Sequence, residues 1–175
     1  MTANVQWSRV TDLFRTGCKG PAAGEWLRAR SLPVPSAANT WVASAAGDVR
    51  VARLGNTEFF VEGPASIIAT LDAALIAVLE DHHPGVYPVL RGDAAFLLEG
   101  TGAPEVLAQV CNINFASLGL AQAPIIMTLM IGVGVLVLPQ RMRDGRCYRI
   151  WCDPSFGEYL DHQLSTITAV TKVPS

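Results

Sequence analysis

The pattern G-x-x-A-x-E-x-L occurs twice in this chain, and it constrains the fold more than any other feature. Gly20, Ala23, Glu25 and Leu27 recur as Gly100, Ala103, Glu105 and Leu107. Each run comes after a short strand-like stretch, Phe14–Lys19 in one case and Ala94–Glu99 in the other. A glycine permits the tight turn from a strand into a helix, because it has no Cβ to clash when φ is positive. Pro21 suits a first helical turn, where its missing N–H costs nothing. An early Glu complements the positive end of the helix dipole. The leucine two residues further on then faces a sheet. A chain that repeats this unit is expected to fold as two related halves.

The segments after each helix support the duplication. After the first, Trp41–Ala45, Val49–Leu54 and Glu58–Val61 read as strands, and Gly63-Pro64 opens a helix. That helix, from about Ala65 to Glu80, carries Ile68, Leu71, Leu75, Val78 and Leu79 at helical spacing. After the second, Ile125–Leu138 reads as one long buried strand, rich in Val and Ile and bracketed by Pro124 and Pro139. Asp144-Gly145 is a hairpin turn signal, and Cys147–Cys152 is the next strand. Asp153 caps a last helix at Pro154, with Phe156, Tyr159, Leu160 and Leu164 on its apolar side. Both halves therefore read β-α-β-β-α, with an extra hairpin strand in the first. The expected fold class is α+β: duplicated ferredoxin-like units, a mostly antiparallel sheet, and helices on one face. We expect a single domain over residues 1–175, with halves at about 8–81 and 86–167. Leu32-Pro-Val-Pro-Ser is a stiff connector within it, and Thr166–Ser175 is a frayed tail.

Composition narrows the function. Half of the 175 residues are apolar, only 16% are charged, and the net charge is −2. That leaves little charge to cover a monomer, so part of the surface is expected to meet another protein. A nucleic-acid footprint needs clustered basic residues. Arg141, Arg143 and Arg146 surround Asp144-Gly145 and read as a charged hairpin tip. The four cysteines, Cys18, Cys111, Cys147 and Cys152, form no CxxC pair and have no zinc-spaced His. With no secretory signal at the start, the expected location is the cytoplasm. Between Cys111 and Gln140 no residue is charged. The apolar run of 125–138 is nonetheless shorter than a membrane span, and Gly132 and Gly134 interrupt it.

No candidate chemistry outweighs its simpler explanation. His82 and His83, before Pro84, suit a helix C-terminus better than a metal, and His162 reads as a solvated residue. Gly132-Val-Gly134 lacks the third glycine and the succeeding helix of a dinucleotide loop. Lys19-Gly20-Pro21 lacks the glycine-rich approach of a phosphate loop, and Arg91-Gly92-Asp93 reads as a tight turn. Trp26, Trp41, Trp151, Tyr148, Phe156 and Tyr159 are mostly core, with some free to anchor an interface. The sequence assigns no catalytic, cofactor-binding or metal-ligating residue to this chain.

Several strings carry a resemblance. They are Lys19-Gly-Pro-Ala-Ala-Gly-Glu-Trp-Leu27, Leu32-Pro-Val-Pro35, Asn39-Thr-Trp41, Ala52-Arg-Leu-Gly-Asn-Thr-Glu-Phe59, and Tyr148-Arg-Ile-Trp-Cys-Asp-Pro-Ser-Phe-Gly-Glu-Tyr-Leu160. Together they resemble the gamma subunit of heterotetrameric sarcosine oxidase and related N-methyl amino acid oxidases and dehydrogenases. The duplicated unit is also similar to the folate-binding domain of the glycine-cleavage T-protein. The resemblance implies a structural subunit of a complex that oxidatively demethylates a small N-methyl amino acid. It implies alpha and beta flavoprotein subunits and a small delta subunit as partners, with FAD, FMN, NAD and tetrahydrofolate held there and none in this chain. Two other classes compete with it: a stand-alone folate-dependent methyl-transfer enzyme, and a membrane anchor built on Leu118–Leu138.

Overall fold

The computed structural model describes residues 4–80, 85–142 and 145–171. Among the described residues, ten strands and four α-helices follow one another in two matching series. The first series is β1 (Gln6–Arg9), β2 (Phe14–Lys19), α1 (Ala23–Arg28), β3 (Thr40–Ala43), β4 (Arg50–Arg53), β5 (Glu58–Gly63) and α2 (Ala65–Glu80). The second is β6 (Tyr87–Val89), β7 (Ala94–Gly100), α3 (Ala103–Val110), β8 (Ile126–Met130), β9 (Val133–Met142), β10 (Gly145–Cys152) and α4 (Gly157–Thr171). The fold is α+β, with two five-stranded sheets ordered β1-β7-β10-β9-β8 and β3-β4-β5-β2-β6. Every strand pairing is antiparallel.

The duplication extends to the first strand of each series, and that strand is exchanged. β1 opens the chain but pairs with β7, while β6 opens the second series and pairs with β2. The chain thereby divides into two compact units, Thr11–Gly92 on one hand and Met1–Val10 with Asp93–Ser175 on the other. In each unit the helices cover one face of its own sheet. Ala23, Trp26 and Leu27 of α1 and Ile68, Leu71, Leu75 and Val78 of α2 share a core with Val51, Phe59 and Val61. In the other unit Val106 and Leu107 of α3 and Leu160 and Leu164 of α4 pack on Phe96, Leu98, Val135 and Ile150.

The repeated glycines occupy equivalent turns. Gly20 has φ +120° and Gly100 has φ +106°, a region closed to ordinary side chains. Two residues on, the Ala22 N–H donates to the Gly85 carbonyl at 2.9 Å, and the Gly102 N–H donates to the Asn4 carbonyl at 3.0 Å. Gly85 and Asn4 each stand just ahead of an exchanged strand, so the same turn anchors that strand twice. Ala23 and Ala103 are fully buried, as are Leu27 and Leu107 within 1%, whereas Glu25 and Glu105 stay exposed. Pro104 lies in the first turn of α3, while Pro21 sits just ahead of the α1 cap residue, Ala22.

The structure corrects the reading of 125–138. The apolar run is a hairpin of β8 and β9 and not one strand. Its turn is Ile131-Gly132, with φ +44° and +83°. Two consecutive left-handed residues match the twist of an antiparallel pair, which closes across Met130 and Val133. Two of the five β8 residues are exposed as well: Met127 and Leu129 face outward while Met130 is buried. Both units therefore contain the extra hairpin strand, and each reads β-α-β-β-β-α. Three side chains assigned to helix cores are about half exposed: Leu79, Phe156 and Tyr159. Asp153 does cap the last helical segment, accepting the Ser155 N–H at 2.9 Å. Arg143 and Asp144, at the other expected turn, lie outside the described residues, and the β9–β10 ladder runs up to Met142 and Gly145 on either side of them.

Candidate functional site

Most of the residues singled out in the sequence turn out to hold structure together. The Arg91 guanidinium donates to Glu58 at 2.8 Å and lies 5.4 Å from the centre of the Phe60 ring, so Arg91-Gly92-Asp93 is not a displayed tripeptide. Arg146 stands opposite Arg141 on the β9–β10 ladder and donates to the carbonyls of Phe115 and Leu118, which pins the segment after α3. Arg53 does similar work, donating to the carbonyls of Gly55, Ser36 and Asn56 at 3.2, 2.7 and 2.7 Å and so fixing the Leu32–Ser36 connector. Lys19 closes β2, and Gly132 and Gly134 belong to the β8–β9 hairpin. His162 is exposed on α4, and His82 and His83 lie outside the described residues. Among the described residues no three His, Cys, Asp or Glu side chains are placed to share a metal ion.

All four cysteines are buried, and none is in a disulfide. Burial pushes the Cys18 thiol from an ordinary 9.0 up to about 12, against a weaker downward pull from Arg30. Burial, helped by Asp93 and Asp153, pushes Cys152 up to about 11. A thiol is a nucleophile only as thiolate, so neither is poised for chemistry at neutral pH. The raised values also set a sign. The contribution to stability is complete below about pH 9 and is lost as pH rises through the two folded-state values. Native protein at pH 8 should therefore resist iodoacetamide, while the urea-unfolded chain alkylates fully. Rapid native labelling of Cys18, read by peptide mass spectrometry, would contradict its burial.

Two concave regions stand out among the described residues. One is an open cleft of about 780 Å³ bounded by Asn4, Gln6, Glu99, Thr101, Arg141 and Arg146. Its charges are mixed, and Arg146 is committed to backbone carbonyls. The other is a groove between α1 and α2, in two stretches of about 560 and 490 Å³ that share Arg30 and Ala74. Its floor includes Leu71 and Val78, and its walls carry small groups such as Ala22, Ala29 and Ala77. Arg30 stands between the stretches. Its guanidinium carbon lies 3.6 Å from the centre of the Trp26 ring, and Nη1 donates to the Trp26 carbonyl at 3.1 Å. The sequence reading missed this groove; the spacing of Trp26 and Arg30 by four residues was its available signal.

Neither a family model nor a curated protein sequence matches the chain. Solved structures do. A chain of heterotetrameric sarcosine oxidase from Corynebacterium sp. U-96, in complex with pyrrole 2-carboxylate, aligns over 98% of this chain and 87% of its own length, with a TM-score of 0.74 and 22% identity. The two share a fold. Glycine cleavage system aminomethyltransferase T from Bartonella henselae aligns over 93% of this chain with a TM-score of 0.64 and 14% identity. There the shared fold covers only 45% of the other chain. Among the described residues no helix is long and apolar enough to cross a membrane.

Proposed function

We propose that this chain is a structural subunit, of the gamma type, in a multisubunit flavoprotein that oxidatively demethylates a small N-methyl amino acid. The observation that carries the reading is end-to-end correspondence with a sarcosine oxidase chain, 98% of one and 87% of the other. A stand-alone methyl-transfer enzyme is less well supported, since the likeness to the aminomethyltransferase is the weaker of the two, with a TM-score of 0.64 and 14% identity. On this reading alpha and beta subunits hold FAD, FMN, NAD and tetrahydrofolate, a small delta subunit completes the assembly, and this chain holds none of these groups. Its contribution is surface. α2 leaves Ile76 57% and Leu79 51% exposed, alongside Ala69, Ala73 and Ala77, with only Asp72 and Glu80 as charges on the helix. Permanent hetero-complexes bury about 2,000 Å² or more through faces of this apolar kind.

Co-expression with the sarcosine-oxidase-type alpha and beta subunits of the same genome tests the reading. The chain should co-elute with them on size exclusion, and demethylation of sarcosine or a related N-methyl amino acid should require the assembly. Expressed alone, it should self-associate or precipitate. A well-behaved monomer that never co-elutes with those subunits would refute the proposal.

A further inference from the structure

We infer that the edge of β7 is a strand-binding site, and that two copies of this chain can pair by each placing its β1 on the β7 of the other. The inference stands apart from the proposed subunit role.

The site recognises its strand in two ways. Along the backbone, β1 lies antiparallel to β7 from Gln6 opposite Glu99 to Arg9 opposite Phe96. The Val10 N–H donates to the Ala95 carbonyl at 2.8 Å, and the Asn4 carbonyl accepts the Gly102 N–H at 3.0 Å, so both ends of the strand are fixed. Side chains then set the register. Val5 is fully buried in the core that Phe96 and Leu98 share with α3 and α4. The Trp7 ring stacks on Phe96 with centres 4.8 Å apart, and its indole N–H donates to Asp161 at 2.7 Å. Arg9 pairs with Glu158 on α4. A strand added to a sheet edge draws affinity from its main chain and specificity from its side chains.

Every one of these partners lies between Ala95 and Asp161, whereas β2, the next strand along the chain, belongs to the other compact unit. Only Thr11, Asp12 and Leu13 join the two strands after Val10, and the first two are exposed. A second copy carries the same segment and the same site, so each contact named here is kept when the donor changes. The chain makes the same move within itself, since β6 leaves its own series to pair with β2. Exchange of an identical element is a low-cost route to a dimer. A short tether holds its own strand at an effective concentration on the order of mM. The closed chain therefore prevails in dilute solution, and exchange takes place when β1 leaves β7, as it does on unfolding.

The test uses the full chain in tagged and untagged forms, unfolded in urea and refolded together. At about 1 mM, where the chains match that effective concentration, the tag should capture untagged chain from the soluble dimer fraction on size exclusion. At about 1 μM capture should fall at least about tenfold. A charge-reversal pair then shows whether β1 is the element exchanged. In Arg9→Glu and in Glu158→Arg, closed chains and dimers of like chains both set like charges against each other, and only the mixed dimer restores both ion pairs. Capture of untagged Glu158→Arg by tagged Arg9→Glu should exceed capture between like variants at least about threefold, in keeping with two largely exposed pairs. Circular dichroism should show both variants folded. A parent that refolds only to monomer at the higher concentration would overturn the inference. Mixed capture no greater than capture between like variants would overturn it as well, because association would then not run through β1.

Discussion

Gly100→Ala should unfold this protein at a much lower urea concentration than the parent, with a loss of roughly 4 kcal/mol or more. Two costs combine. A Cβ at φ +106° is strained by itself, and this one would sit 2.2 Å from the Asn4 carbonyl oxygen and 2.9 Å from its carbon. The obstacle is backbone, so no side chain can swing aside. That carbonyl accepts the Gly102 N–H at the start of α3 and stands just ahead of β1, so displacing it disturbs helix and edge strand together. Gly20→Ala should behave alike, with its Cβ 2.3 Å from the Gly85 carbonyl oxygen ahead of β6. Gly47→Ala is the informative comparison, because Gly47 also has positive φ, +75°, but nothing lies within 4 Å of an added Cβ. It should cost only about 1 kcal/mol, the strain of a left-handed residue. Urea midpoints tracked by tryptophan fluorescence will separate the three. Gly100→Ala within error of Gly47→Ala would show that the exchanged strand is not anchored at this turn.

That turn was the most legible part of the sequence because everything it needs is local: a glycine, an early acid, a buried Ala and a buried Leu. Helix α2 was legible for a similar reason, its apolar spacing being long and regular. β1 and β6 were not visible. Gln-Trp-Ser-Arg and Tyr-Pro-Val are too short to show alternation, and their strand character comes from pairing with β7 and β2, far away in sequence. The β8–β9 hairpin was hidden differently. Uniform apolarity removes the polar punctuation that marks a turn, and Ile131 adopts a left-handed φ that its branched side chain gives no reason to expect. Gly132 was the sole hint, and it registered only as an interruption. Leu79 comes directly after Val78 and so falls about 100° around the helix, off the buried stripe, although it is apolar. Arg30 looks like any surface arginine in the sequence. Its significance depends on Trp26 beneath it and on α2 across the groove, which only folding brings together.

Glu62→Ala should rank with the glycine variants as the other severe loss, at about 3–5 kcal/mol. Glu62 is fully buried on β5, the central strand of its sheet, and accepts from the Arg15 Nε at 3.2 Å. It stands opposite Arg15 on β2 and opposite Arg50 on β4 in the same register. Arg15 is only 11% exposed at its side chain, so it cannot turn to water when its partner is removed. A buried pair adds little net stability over an apolar replacement, yet breaking it strands a charge, and that is the larger effect. The position between two arginines predicts an order. Glu62→Ala leaves both without the central carboxylate, whereas Arg15→Ala leaves Glu62 opposite Arg50 and should cost less. Glu62→Gln, which keeps an acceptor but loses the charge, should fall between Glu62→Ala and the parent. Burial also protects the interaction from screening, so the ranking should persist from 0.1 to about 1 M salt, where the Debye length has fallen to roughly 3 Å. Equal losses for Glu62→Ala and Arg15→Ala, or losses that fade with added salt, would mean that solvent reaches the carboxylate and that β5 is not pinned from both sides.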